Sequence, residues 1–473
     1  MPIEQRGVDT IPEEERTSGP RDLMSILLGS NLCLGVIVFG WLPPSFGLGL
    51  WPSVTAIVTG TVVGIAFTAP LALVSLRTGT NLSTSSGAQF GVRGRLVGSV
   101  VGLLLSLGYT ALTLWIGGDV MAGVLSRLTG LPDTGVTRAA MYGVLAVCTV
   151  VGAVFGYRLL LRVSKVLSVG MLVLLAAGVF AYSGDFTAAP PDTPYLLGSF
   201  WPTWLLATVA AGLSGPVAFI TLLGDYTRYV SPRRHGSRTV LRATALGLLF
   251  GLLVPQLFGT FTALAARAGA EYAGPLVAAA PSWYLLPLLA AAAGGSVGNA
   301  GLMLYSMGLD LDAILPRVTR TTATLAAAAV ATAFVFVGSF GWNAQAAMTS
   351  FVLLLTAIGT PWAVITLIGY ARCRGRYDAE ALQVFNRRSV GGVYWYRGGW
   401  NPRATASWAI GAGVGLLAVT TPFYEGPLLA LTGGVDCSFV LSGLAGGLAY
   451  AALTAGASPA PAPAEEPAVR TAA

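Results

Sequence analysis

The chain has 473 residues, 54% of them hydrophobic and 10% charged, with a mean hydropathy of +0.72. Soluble proteins carry roughly a quarter of their residues as charges, so this composition excludes a soluble enzyme, a nucleic-acid-binding domain and a disordered scaffold. With about 20 apolar residues per bilayer crossing, it predicts an all-α polytopic membrane protein, and the net charge of +7 must be explained by where the charges lie.

Residues 1–22 are polar and lack the apolar run of a cleavable leader, so they are expected to form a cytoplasmic N-terminal segment. Apolar stretches then predict twelve transmembrane helices, at about 23–45, 51–73, 96–125, 139–157, 163–182, 200–224, 240–263, 283–307, 321–339, 346–370, 404–421 and 434–454. Together they form a transporter domain over 23–454: one repeat at about 23–182, a second at about 200–370, and two extra helices at about 404–454. Residues 455–473, rich in Pro, Ala and Glu, are expected to be a disordered cytoplasmic tail.

With the N-terminus in the cytoplasm, alternation places 24 of the 27 Lys and Arg residues inside and leaves only Arg127, Arg138 and Arg267 outside. Both termini are therefore expected on the cytoplasmic face of a plasma (inner) membrane. The clusters Arg233–Arg234 and Arg372, Arg374 and Arg376 read as topology determinants beside anionic lipid, so the basic charge needs no nucleic-acid partner. Trp51, Trp201, Trp204, Trp283, Trp342 and Trp408 fall near predicted span ends, as in an interfacial belt. Four cysteines without paired spacing and one histidine, His235, suggest neither a disulfide framework nor a metal centre. No cofactor is expected.

Two predicted helices carry interruptions. The first contains Asn31, Gly35, Gly40 and Pro43–Pro44; the sixth contains Gly212, Ser214, Gly215 and Pro216. A proline in mid-helix removes one backbone hydrogen bond, and glycine lowers the cost of leaving helical geometry. Interruptions at matching positions of two five-helix repeats point to an inverted-repeat transporter whose substrate meets unwound backbone, here around Gly35 and Ser214. A pair of ordinary kinks is the alternative.

Polar groups inside a bilayer are costly and tend to face a cavity. The third helix offers Tyr109 and Thr113, four residues apart and so on one face, and then Asp119. The sixth offers Phe219; the eighth offers Ser296, Asn299, Tyr305 and Ser306. Aromatic faces with an amide suit a flat heteroaromatic ligand, since rings can stack on it and the amide can read its edge. Plain packing explains Tyr109 and Phe219 equally well, and an interhelical hydrogen bond explains Asn299. Asp119, about 15 Å along the helix from Tyr109, suits a water-filled vestibule.

Short motifs then recur along the whole chain: Gly7 through Leu23, Phe46 through Trp51, Arg77 through Thr80 with Phe90 through Gly94, and Gly224-Asp225-Tyr226-Thr227-Arg228-Tyr229. Further on come Arg374 through Asp378, Gly399 through Pro402 and Gly434 through Ser438. In this order they resemble the nucleobase–cation symporter family 1, most closely its purine–cytosine permease branch. The resemblance implies a LeuT-type fold, a five-plus-five inverted repeat with two C-terminal helices, and cation-coupled uptake of a nucleobase or related heterocycle. It implies that Tyr109 and Phe219, where Trp is common, stack on the substrate. It gives Thr113, often Asn or Gln, the role of polar partner, and Asn299 that of reading the base edge. Ala300 stands where purine–cytosine permeases often have a second Asn.

These departures remove amide groups, and a site built on hydrogen bonds discriminates by which groups pair. The expected function is secondary active symport of a purine- or cytosine-type nucleobase by alternating access. Another small heterocycle (a vitamin precursor, or a hydantoin- or allantoin-like ring) is the alternative. Sodium-coupled relatives place hydroxyls five and six residues before the Asn of the eighth helix, where this chain has Gly294 and Ala293. A proton is therefore expected as the coupling ion rather than sodium, with Asp119 and Ser296 as candidate coupling groups and a monomer in lipid as the working unit. An enzyme would need clustered acids, His or Lys at one interface. The outer acids are scattered, and helix capping or loop solvation accounts for the Asp310 and Asp312 pair.

Overall fold

The computed structural model describes residues 7–315, 317–341, 344–421, 423–432 and 435–456; Arg6, Trp342 and the tail beyond residue 456 lie outside this set. Lipid offers no partner for backbone polar groups, so a crossing segment must satisfy them internally as a helix. In chain order the main helices are α1 (Pro20–Asn31), α2 (Leu34–Ser45), α3 (Leu50–Thr68), α4 (Leu96–Thr129), α5 (Gly135–Phe155) and α6 (Tyr157–Tyr182). There follow α7 (Phe200–Ala207), α8 (Ser214–Val217), α9 (Leu223–Thr227), α10 (Ser237–Ala265), α11 (Leu285–Ile314), α12 (Arg320–Gly341), α13 (Ala344–Arg372), α14 (Pro402–Ala418) and α15 (Ser438–Leu453).

All twelve predicted stretches thus carry helix. Among the described residues eight helical spans are long and apolar enough to cross a membrane, and α1 with α2 makes a ninth, bent by 60°. The stretch from α7 to α9 is broken into short pieces, and α14 and α15, of 17 and 16 residues, are at the short limit for a crossing. The centre of the bundle is α4, with 72% of its most apolar window buried, against 28% for α5 and α6. On those outer helices Val147, Val166, Val169 and Phe180 face outward, as lipid-contacting residues do. Trp51, Trp201 and Trp283 are exposed at span ends.

The first span does not break at its prolines. After Asn31 the chain passes Leu32 (φ −76°, ψ 72°) and Cys33 (φ −147°, ψ 162°) in non-helical geometry before α2 begins. Pro43 and Pro44 stay within α2. Pro44 has no N–H to give the Gly40 carbonyl four residues back, and that carbonyl accepts instead from Thr260 Oγ1 of α10 at 2.8 Å. In the sixth stretch Pro216 likewise deprives the Gly212 carbonyl, which accepts from Thr61 Oγ1 of α3 at 3.2 Å. Here the helix does give way: a π-helical turn spans Thr208–Leu213, and turns run over 218–222.

Residues 7–18 do not hang free. They cross the end of the bundle that carries most of the arginines. Arg16 donates to the carbonyls of Leu76 (2.6 Å) and Arg228 (3.0 Å), and Arg228 donates to the Gly7 carbonyl (2.6 Å) and the Tyr305 hydroxyl (2.9 Å). Thr80 Oγ1 donates to the Val8 carbonyl (2.6 Å), and the Ser18 N–H to the Tyr229 carbonyl (3.1 Å). This segment corrects the reading of Asp310 and Asp312 as a solvated or capping pair. Asp310 is buried and accepts from Ser83 Oγ at 2.8 Å, while Asp312 accepts from the Val8 N–H at 3.2 Å.

Candidate functional site

The two helix breaks leave backbone carbonyls facing α4 and α11, and the predicted polar residues meet them. The Tyr109 hydroxyl donates to the Ser214 carbonyl at 3.0 Å. One turn along α4, Thr113 Oγ1 donates to Asn299 Oδ1 at 2.9 Å, and Asn299 Nδ2 donates to the Ser30 carbonyl at 2.9 Å. Ser296, three residues before Asn299, donates from Oγ to the Thr113 carbonyl at 3.3 Å. Gly35 makes the closeness possible: a Cβ there would collide with the Thr113 side chain. Gly295 likewise lies against Cys33, so the break in the first span can seat on α11.

Tyr109, Thr113, Asn299, Ser296, Ser214 and Gly35 are therefore gathered at one place, with Asn299 only 2% exposed. The aromatic neighbours of the Tyr109 ring among the described residues are Phe39 (centroids 5.8 Å apart) and Phe351 (5.5 Å, edge-on at 70°). Phe219 lies on the turn between α8 and α9, three residues past Pro216, and is buried.

Sequence reasoning misses four participants. Phe39 and Phe351 look like any apolar helix residue. The Ser30 carbonyl is a backbone group and has no side-chain signature. Gln256 was findable, as a lone amide after Pro255 in an apolar run. Its Nε2 donates to the Ala211 carbonyl at 3.2 Å beside the π-helical turn, and its Oε1 is buried without a partner. Between the site and the arginine-rich end the hydroxyls of Ser106 and Thr221, and within the site that of Thr110, are also buried and complete no hydrogen bond among the described residues.

From the opposite end, a cavity of about 390 Å³ reaches down to Trp41, Leu112, Trp115 and Ile116. Asp119 lines it and accepts a hydrogen bond from the Tyr142 hydroxyl; Arg127, Asp133, Arg138 and Glu271 share its wall. Asp119 therefore sits apart from the Thr113–Asn299 pair, six residues or about 9 Å further along α4. Gly294 and Ala293 present no side-chain oxygen, and among the described residues no group of His, Cys, Asp and Glu is placed to hold a metal ion.

Over residues 10–446 the chain matches the family described as permease for cytosine/purines, uracil, thiamine and allantoin. It is 26% identical, over 93% of each chain, to YxlA of Bacillus subtilis (strain 168), provisionally named a purine–cytosine permease. It is 23% identical to a purine–cytosine permease of Emericella nidulans, over 96% of this chain and 87% of the relative. It is 22% identical to the hydantoin permease of Microbacterium maritypicum, over 88% and 85%. Among solved structures it resembles Mhp1, a nucleobase-cation-symport-1 family transporter, in a closed conformation with bromovinylhydantoin bound (TM-score 0.73, 19% identity, 95% of each chain). It also resembles a Na+-coupled sialic acid symporter (TM-score 0.56, 14% identity, 97% of this chain and 94% of the other). The fold is of the LeuT type.

Proposed function

The chain belongs to the family of permeases for cytosine/purines, uracil, thiamine and allantoin, and from that premise we propose that it imports a purine- or cytosine-type nucleobase by secondary active symport. It is a membrane transporter and not an enzyme. The observation that carries the reading is the linkage of Tyr109, Thr113 and Asn299 to the backbone of both helix breaks. Substrate descends the cavity past Asp119, stacks on Tyr109 with Phe219 as the second ring face, and takes over the hydrogen bonds that Thr113 and Asn299 make with each other. Those groups are already paired, so a ring must offer a matching order of donors and acceptors to replace them, and this matching confers selectivity.

Release follows when the first two and the sixth and seventh spans rock against the rest. The unpartnered hydroxyls of Ser106 and Thr221 then line the way out, where water can satisfy them. The arginine-rich end faces the cytoplasm of a plasma (inner) membrane, and the unit is a monomer. One inward charge supplies about 2.3 kcal/mol per 100 mV, roughly a 50-fold accumulation. A proton is the favoured coupling ion, carried by Asp119. The bare Gly294 and Ala293 positions and the engagement of Ser296 with the Thr113 carbonyl support it over sodium.

A second reading, a hydantoin- or allantoin-like ring or a vitamin precursor, is favoured by Thr113 and by the buried Ala300 beside Asn299, where amides are expected. The test is uptake of labelled purines and pyrimidines by cells lacking their own permeases, with sodium replaced and with a protonophore. Uptake of a purine or cytosine that survives sodium removal and collapses with the protonophore is expected. No uptake of any purine or pyrimidine, with expression confirmed, would overturn the nucleobase reading; melting shifts with hydantoins or allantoin would then establish the second. Dependence on sodium would overturn the proton.

A further inference from the structure

Three span ends meet at one level of the arginine-rich end: α13 finishes at Arg372, α14 starts at Pro402 and α15 finishes at Leu453. Between these ends and the loop 373–401 lies a cavity of about 570 Å³. Four arginines, Arg372, Arg376, Arg397 and Arg403, line it, and among the described residues no acidic one does. The nearest acids in sequence are committed elsewhere. Asp378 accepts from the Ala381 N–H at 2.9 Å, and Glu380 pairs with Arg387 at 2.5 Å. Arg372 is held in the wall by the Thr454 carbonyl at 2.9 Å.

Two further lining groups lack what burial normally requires. Gln89 is 4% exposed, and its side-chain carbonyl is sealed from solvent with no hydrogen bond. The Tyr377 hydroxyl is sealed too; it lies near Gln89 and Cys373 but completes no hydrogen bond of ordinary geometry. Native proteins leave few such groups without a well-formed partner, and two beside each other in one cavity wall suit a polar ligand. Burial pushes the Tyr377 phenol upward, which keeps its proton in place for donation.

Arginine pairs with phosphate through a planar fork of donors, and basic pockets between span ends on the cytoplasmic side are placed to hold anionic headgroups. We propose that this cavity binds the phosphate of an anionic phospholipid, with Arg372, Arg376, Arg397 and Arg403 around the phosphate and Gln89 and Tyr377 taking a hydroxyl-bearing headgroup. The level of the span ends selects a lipid over a soluble phosphate, because it is where headgroups lie. The site would tie the last two spans to the loop 373–401. It is independent of the identity of the transported substrate.

The test uses the full chain, purified in detergent. Binding is read by native mass spectrometry and thermal melting with phosphatidylglycerol, phosphatidylcholine or inorganic phosphate. The double variant Arg376→Gln/Arg403→Gln is expected to weaken phosphatidylglycerol binding about tenfold and leave phosphatidylcholine unchanged. Arg233→Gln/Arg234→Gln removes the same charge from an exposed loop and is expected to stay within about twofold of the parent. Tyr377→Phe deletes a hydroxyl that completes no hydrogen bond of ordinary geometry within the chain, so it is expected to keep the lipid-free melting temperature and still weaken phosphatidylglycerol binding. Equal losses in the two arginine doubles, equal binding of the two lipids, or full phosphatidylglycerol affinity in Tyr377→Phe would overturn the site. Inorganic phosphate reproducing the lipid's effect would overturn a lipid as the source of the phosphate.

Discussion

The two ends of the bundle use their charges differently. At the arginine-rich end, Arg16 and Arg228 are buried and donate to backbone carbonyls far away in sequence, which fastens residues 7–18 across the mouth. Burial lowers the Arg16 guanidinium from the usual arginine range, and Glu13 alongside pulls it back. At the opposite end a cavity reaches toward the site, and its rim charges pair in the open: Arg138 and Asp133 meet at 2.9 Å with side chains 45% and 32% exposed. A buried cation left without acceptors is expensive, whereas an exposed ion pair is worth about 0–1 kcal/mol. The arginine-rich end is therefore the strongly fastened one, and opening it means releasing the N-terminal segment.

The largest effect is expected from Arg16→Ala. Its two hydrogen bonds to backbone carbonyls are lost, at about 1.5–3 kcal/mol each, together with its pairing to Glu13, and the segment over the mouth loses its hold. In a background with Cys148, Cys373 and Cys437 replaced by Ser, the buried Cys33 at the first helix break reports opening through its rate of reaction with a permeant maleimide. Labelling of Cys33 is expected to rise more than about tenfold. An unchanged rate would show that residues 7–18 do not seal that end.

Asp119→Asn tests the open end. If Asp119 carries the coupling proton, its loss abolishes the roughly 50-fold accumulation that one charge supports at 100 mV, while exchange of substrate across the membrane persists. Retained uphill uptake, measured against a protonophore control, would assign coupling elsewhere. At the site between the ends, Thr113→Asn restores an amide where Thr113 now meets Asn299 at 2.9 Å. It is expected to shift the ranking of purines, cytosine and hydantoins by about tenfold or more. A uniform loss across all substrates would indicate that Thr113 serves packing only.

The parts of this molecule that the bilayer dictates are legible in its sequence. Apolar length gives the helical stretches, and the arginine bias marks one end. Tyr109, Thr113 and Asn299 stand out because polar groups in apolar runs need a reason. What is not legible depends on backbone groups and distant partners. Pro44 signals a break in the first span, but the carbonyl it orphans finds Thr260, 220 residues away, and the helix survives there. The real break at Leu32–Cys33 exposes the Ser30 carbonyl to Asn299, and no local pattern announces a backbone acceptor. The polar segment 7–18 reads only as a cytoplasmic N-terminal segment because its partners, the Leu76 carbonyl, the Thr80 hydroxyl and the Arg228 guanidinium, are remote in the chain.

The smallest effect sharpens the contrast between the ends. Arg138→Gln removes the exposed pair with Asp133, both of whose oxygens are engaged, at 2.9 and 3.0 Å. Good geometry alone does not make such a pair strong: water screens the charges, and holding two mobile side chains together costs entropy. The expected loss is about 0.2–1 kcal/mol, or under about 2 °C in melting temperature for a chain of this size, and Cys33 labelling should not change. A drop of the size expected for Arg16→Ala would mean that the rim pair carries load comparable to the buried arginines, and the two ends would then have to be regarded as equally fastened gates.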